Sequence, residues 1–306
     1  MTVARSHVVW FEDIGRADVA LVGGKSASLG EMIRALEPKG IRVPPGFATT
    51  SDAYWHFLDE NKLRPHMDAL LTDLAAGRLT LPEAGKAIRT AILQGTWPKA
   101  IAEAIITAYG ELCRRTGLAD ISVAVRSSAT AEDLPQASFA GQQESYLNIR
   151  GAQALLDACR NCMASLFTDR AIAYRQAQGF DHMRVALTVG VQRMVRSDLG
   201  GAGVMFSIDT ETGFDKVVLI NAAWGLGENV VKGTVDPDEY HVFKPNLADP
   251  ALTPIIEKKL GAKTQKMIYA TGTSPTQNVP TSKAERAAFV LDNQDILQLA
   301  RWATTI

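Results

Sequence analysis

The chain has 306 residues, of which 46% are hydrophobic and 21% charged, with a net charge of −1 and a pI near 6.5. That size and balance supply a buried core for one large domain or two lobes, and exclude the clustered basic face that nucleic acid or an anionic membrane surface requires. The longest apolar stretches, Ile101 to Tyr109 and Val217 to Trp224, fall well short of the roughly 20 residues of a bilayer span; with no signal peptide in view, a cytoplasmic protein is expected.

An apolar strand, Val8 to Phe11, opens the chain and leads to GGKSASLGEMIRAL. There Ser26 and the Leu29, Met32, Ile33, Leu36 spacing mark an amphipathic helix with Lys25 at its start. The turn Pro44-Pro45-Gly46 precedes a capped helix, TTSDAYWHFL, and helical patterns continue through Leu81 to Gln94 and Ala100 to Arg115. After Gly117 come a strand, ISVAVR, a long small-residue loop from Ser127 to Gly141, and a short strand from Ser145 to Ile149. Two helices follow, Ala152 to Phe167 and Asp169 to Gln178. From Val185 onward β-branched runs dominate, joined by turns, which predicts a hairpin-rich sheet. A last helix starts at Asp292, with Asp295 in its first turn, and carries Ile296, Leu299 and Trp302. The predicted class is α+β, with a mainly helical first part, an antiparallel second part and a boundary near Gly179 to Arg184.

Cys159 and Cys162 form a C-x-x-C, but ALLDACRNCMASLF reads as one amphipathic helix with no histidine nearby to complete four metal ligands. Packing is the expectation there, because free cysteines are commonly buried. The five histidines, at 7, 56, 66, 182 and 241, have no ligand spacing.

Gly23-Gly24-Lys25-Ser26 has the ending of a P-loop, but Val19 stands where that motif needs its first glycine. What survives is a flexible turn delivering a cation at a helix N-terminus, an arrangement suited to an anion; a solvated surface lysine is the plain reading. In AVRSSATAEDLPQASFAGQQES, Arg126 ends an apolar strand, where a guanidinium calls for a carboxylate or a phosphate. The small side chains after it let backbone donors approach a ligand. The competing reading pairs Arg126 with Glu132 or Asp133 on a surface loop. In VGVQRMVRSD, Gln192 and Met194 alternate with Arg193 and Val195, so one face presents an amide and a backbone edge to a flat heterocycle, or is simply amphipathic. WGLGENVVKGTVDPDEY has Val230 where a dinucleotide fingerprint needs its third glycine. Glu228, Asp236 and Asp238 read equally as magnesium or ribose partners and as turn caps.

Taken in order, VGGKSASLGEM, VPPGFATTSDAY, AVRSSATAEDLPQASFAGQQES, SLFTDRAIAYR, GVQRMVRSD, GVMFSIDTETGFD and WGLGENVVKGTVDPDEY closely resemble the phosphoenolpyruvate synthases. These stand in a wider group with pyruvate phosphate dikinases and rifampin phosphotransferases. The resemblance implies an ATP-grasp-like fold of two lobes clamping ATP, residues 1–183 on the phosphate side and 184–306 on the adenine side. It assigns phosphate contacts to Lys25 and Arg126 as the catalytic residues, the phosphate-side loop to Gly141 and Ser145, and the adenine strand to Gln192, Met194 and Val195. It further implies conversion of ATP, pyruvate and water to phosphoenolpyruvate, AMP and phosphate through a phosphohistidine. That histidine's domain and the pyruvate-binding barrel have no counterpart in this sequence, and the family's magnesium ligands are expected mainly beyond Ile306. No metal ligand is therefore assigned, the fragment is expected to be inactive in the full reaction, and a homodimer belongs to the full-length enzyme. The alternatives are a truncated nucleotide-binding module and a rifampin-type antibiotic phosphotransferase.

Overall fold

A computed structural model describes residues 6–130, 144–270, 272 and 274–306. The chain is mixed helix and antiparallel sheet, and it separates into two compact units, Met1–Met194 and Val195–Ile306.

The first unit contains strands β1 (Val8–Trp10), β2 (Gly46–Thr49), β3 (Val123–Ala129), β4 (Ser145–Ile149) and β5 (Leu187–Arg193) in the order β1-β2-β5-β3-β4, every pairing antiparallel. Its helices are α1 (Val19–Leu36), α2 (Ser51–Glu60), α3 (Leu63–Ala75), α4 (Leu81–Gln94), α5 (Lys99–Thr116), α6 (Ala152–Ser165) and α7 (Asp169–Ala177). The helix starts are set by short polar side chains: Thr50 accepts from the Ala53 amide, Thr80 forms a capping box with Glu83, and Thr168 accepts from the Ala171 amide. Gly117, at φ 70°, closes α5 in the left-handed conformation.

Alternation along β3 and β5 sorts their side chains between two layers. Val123, Val125, Val189 and Val191 join Phe57, Ile88, Ile105 and Leu155 in the main core with α2 to α6. Each fully buried apolar side chain of that size contributes about 1.5–3 kcal/mol. The opposite face meets α1 and the turn after β1, where Phe11, Ile14, Val22, Ala27 and Ile33 form a second cluster. Arg175 of α7 is fully buried; its Nε donates to His182 Nδ1 at 2.9 Å and its guanidinium lies 5.2 Å from the centre of the Phe167 ring.

In the second unit β6 (Gly201–Phe206), β7 (Val217–Trp224), β8 (Asp238–Phe243) and β9 (Ile255–Lys259) form an antiparallel sheet in chain order. A short helix, α8 (Glu228–Val231), follows β7, and a hairpin, β10 (Gln265–Tyr269) with β11 (Thr276–Pro280), precedes α9 (Lys283–Ala287) and α10 (Asn293–Thr305). Asp292 caps α10 by accepting from the Asp295 amide at 2.8 Å, as its sequence signature predicts. Ile296 and Ala300 then pack on Val218, Ile220, Tyr240 and Val242.

Three sequence expectations change. β3 runs on to Ala129 because Ser127–Ala129 pair with β5, whereas the sequence predicts a strand ending at Arg126 and a loop from Ser127. The segment after Val185 was expected to open the second sheet, yet β5 is the central strand of the first, hydrogen-bonded to β2 and β3. Its uniformly apolar run suits any strand buried on both faces and does not name its neighbours. β2, expected as part of a turn and helix lead-in, is a fully buried strand of four residues, too short to show a period.

Candidate functional site

The site is built on the face of β3 and β5 that meets α1. Across this ladder Arg126 pairs with Gly190, Ser128 with Thr188, and Ala124 with Gln192, so these residues share one face. Because Gly190 has no side chain, the space opposite Arg126 stays open; a Cβ there would sit 3.3 Å from Ser26 Oγ. The opening is a cavity of about 290 Å³ lined by residues that include Lys25, Ser26, Ser28, Arg126, Ser127, Ser128, Gly190 and Gln192.

Gly23 breaks α1 with φ 74° and ψ 163°, so the regular helix starts at the Gly24-Lys25 step and its N-terminus faces this cavity. A side chain at Gly23 is disfavoured twice, by the positive φ and by a Cβ that would fall within 3.0 Å of Ser128. The Ser26 amide donates to Ser128 Oγ at 3.3 Å, and Lys25 Nζ donates to the Ser127 carbonyl at 3.3 Å. Lys25 and Arg126 are both exposed side chains, and among the described residues none that lines the cavity is acidic. Two cations, a helix N-terminus and the serines Ser26, Ser28 and Ser128 line the cavity, a donor set that suits an oxyanion rather than a divalent cation.

Residues 19–306 match the family model described as pyruvate phosphate dikinase, AMP/ATP-binding domain. The chain belongs to this family. It is 54% identical over 305 residues to a phosphoenolpyruvate synthase of Synechocystis sp., covering 98% of this chain and 37% of that protein. It is 51% identical over 304 residues to one from Aquifex aeolicus (99% and 35%), and 49% identical over 311 residues to one from Escherichia coli (98% and 38%). The chain thus spans a little over a third of the length of these relatives.

Within this member of the family, Lys25, Arg126 and Gln192 line one cavity. Gln192 is buried, and its Nε2 donates to the Pro44 carbonyl at 2.9 Å. The open backbone edge expected beside it is absent, because β5 is paired on both sides through Gln192. Met194 lies one residue past the strand, its amide bonded to the Ser122 carbonyl and its sulfur accepting from the Asn148 amide at 2.9 Å. Val195 is 64% exposed. Ser145 is exposed and pairs with Arg126 across β3 and β4. Gly141, Glu132 and Asp133 lie outside the described residues. Sequence reasoning missed Ser128 as a cap, Gly190 as the opening and Thr188 beneath both; the last carried a faint signal as a lone hydroxyl in an apolar strand.

The candidate carboxylates of the second unit, Glu228, Asp236 and Asp238, are engaged by protein donors. Asp238 is fully buried, ion-paired with Lys263, and accepts from the amides of Gly261 at 2.9 Å and Val290 at 2.8 Å. Asp236 accepts from the Ala262 amide at 2.9 Å, and Glu228 pairs with Lys232 at 2.9 Å. Among the described residues no group of three or more His, Cys, Asp or Glu is gathered to hold a metal. Cys159 and Cys162 are free and fully buried, and burial pushes the Cys159 thiol up to about 12, so these are packing residues of α6. Among the described residues no helix is long and apolar enough to cross a membrane.

Proposed function

We propose that this chain is the ATP-binding part of a cytoplasmic phosphoenolpyruvate synthase, and that its cavity takes the phosphates of ATP. The observation that carries this reading is that Lys25, Arg126 and the N-terminus of α1 line one cavity. Phosphoryl transfer asks a protein for positioning and charge neutralisation rather than covalent chemistry. In this role Lys25 supplies a point charge, Arg126 a planar pair of donors, and the serine hydroxyls orient the phosphate oxygens. The base lies toward Gln192, Met194 and Val195, while Gly141 and Ser145 belong to the segment that follows Arg126.

The finer architecture is part of the same proposal: an ATP-grasp-like fold in which the phosphate-side subdomain extends past residue 183 to take in β5, and the adenine-side subdomain follows it up to residue 306. Magnesium accompanies ATP in this chemistry, but the donors of the cavity do not suit it, and no step here runs through the metal. In the longer protein the phosphoryl group passes to a histidine on another domain and then to pyruvate, with water taking the second phosphate; dimerisation also belongs to that protein. The synthase names of the relatives favour this over a rifampin-type antibiotic phosphotransferase.

Replacing Lys25 or Arg126 by alanine in the complete gene product is expected to lower phosphohistidine formation from ATP by about 10²-fold or more, the range seen when one preorganised charge-stabilising donor is removed. Formation of phosphohistidine at the wild-type rate in both variants would overturn the reading.

A further inference from the structure

Thr188 is the single hydroxyl in the apolar run from Val185 to Val191. Its side chain is fully buried, and it is not among the residues that line the cavity. A buried hydroxyl is unfavourable unless it is bonded, and this one is bonded twice. Thr188 Oγ1 lies 2.7 Å from the Ser128 carbonyl and also reaches the Val22 carbonyl. Both partners only accept, so one proton is shared between two carbonyls from different elements.

Those carbonyls mark the junction of the site. Val22 is the last residue before the Gly23 break that starts the lysine-bearing helix. Ser128 caps that helix through the Ser26 amide, and Ser127, beside it, accepts from Lys25 Nζ. Arg126 stands two residues earlier on the same strand and the same face. A single buried hydroxyl therefore ties the start of α1 to the end of β3, beside the cavity that both cations line.

We propose that Thr188 is a positioning residue, holding Lys25 in register with Arg126 without itself touching the bound phosphates. The proposal rests on the reading that the cavity takes the phosphates of ATP. Small displacements of charged groups around a phosphate lose affinity steeply, whereas a ligand lacking phosphates does not sense them.

The test uses the complete gene product, titrated with ATP and competed with adenosine, as wild type, Thr188→Val, Thr188→Ser and Lys25→Ala. Thr188→Val keeps the shape and removes the hydroxyl; ATP affinity is expected to fall about tenfold, a typical loss for one buried hydrogen bond. Adenosine should compete as in wild type, and Thr188→Ser should restore ATP binding. Wild-type ATP affinity in Thr188→Val overturns the proposal, as does an equal loss for ATP and adenosine, or an equal loss in the Val and Ser variants. If the Val variant does not fold, Thr188→Ala against Thr188→Ser carries the same comparison. Lys25→Ala separates the two levels: if it binds ATP normally the phosphate reading fails, whereas a loss there beside a normal Thr188→Val defeats the positioning role alone.

Discussion

Lys25 and Ser127, 102 residues apart in sequence, meet where the lysine ammonium donates to the serine carbonyl at 3.3 Å. The contact fixes the cation of a helix start against the strand that carries the guanidinium. The pocket's charge is thus built from two distant segments, each held by backbone geometry rather than by a shared loop.

Gly190 keeps the space opposite Arg126 open, and Gly190→Val is expected to close it. The added side chain grows from a central strand toward Ser26 Oγ, which an added Cβ alone would approach to 3.3 Å. ATP affinity should fall by more than tenfold, with circular dichroism unchanged. Calorimetric titration checks this; an unaltered affinity would show that the ligand does not occupy the floor of the cavity.

How far the sequence foretold this site follows from which contacts are local. Lys25 was legible because the Gly-Gly turn and the helix period are adjacent in sequence, and Arg126 because a cation in an apolar strand needs an explanation. Thr188 and Gly190 were not, since their importance depends on β5 lying between β2 and β3. That choice of partners is made across long stretches of chain: the Val189 amide bonds to Thr49 Oγ1, 140 residues away. Most of the longer helices were read closely, because signals such as the Asp292 cap act within one turn, although α3, which starts without a side-chain cap, was not. Strand membership was not, because an apolar run reports burial and not its neighbours.

The buried pair Asp238 and Lys263 ties β8 to the segment before β10. Lys263→Met leaves the carboxylate with its amide and tyrosine donors but without its cation. A loss of about 3 kcal/mol is expected, at the lower end for breaking a buried pair. The double variant Asp238→Asn with Lys263→Met should recover part of it. Urea denaturation of the three proteins checks this, and a single variant as stable as wild type would remove the pair from the account of the second unit.

His182 gives a pH dependence with a definite sign. Burial, with the Arg175 guanidinium beside it, lowers its pKa from 6.5 to about 4. Between these values the unfolded chain binds a proton that the folded chain refuses, so this histidine's contribution is lost as pH falls from 6.5 toward 4 and levels off below. With allowance for its partial exposure, the loss is about 1–2 kcal/mol. His182→Asn should show a shallower fall of stability over this window than wild type, whatever its stability at neutral pH. Parallel curves from denaturant titrations at stepped pH would rule the histidine out as the source.

The strand order β1-β2-β5-β3-β4 has a consequence for the chain as it is made. β2 and β3 emerge early but are not neighbours; each has one partner, β1 or β4, and its other edge waits for β5, the last strand of the unit to be synthesised. Until Leu187–Arg193 is available, the sheet beneath the lysine helix and the arginine strand lacks its central strand. Nucleotide protection of a nascent chain should therefore appear abruptly once this stretch has left the ribosome, since late, non-local pairing sets the slow step of such topologies.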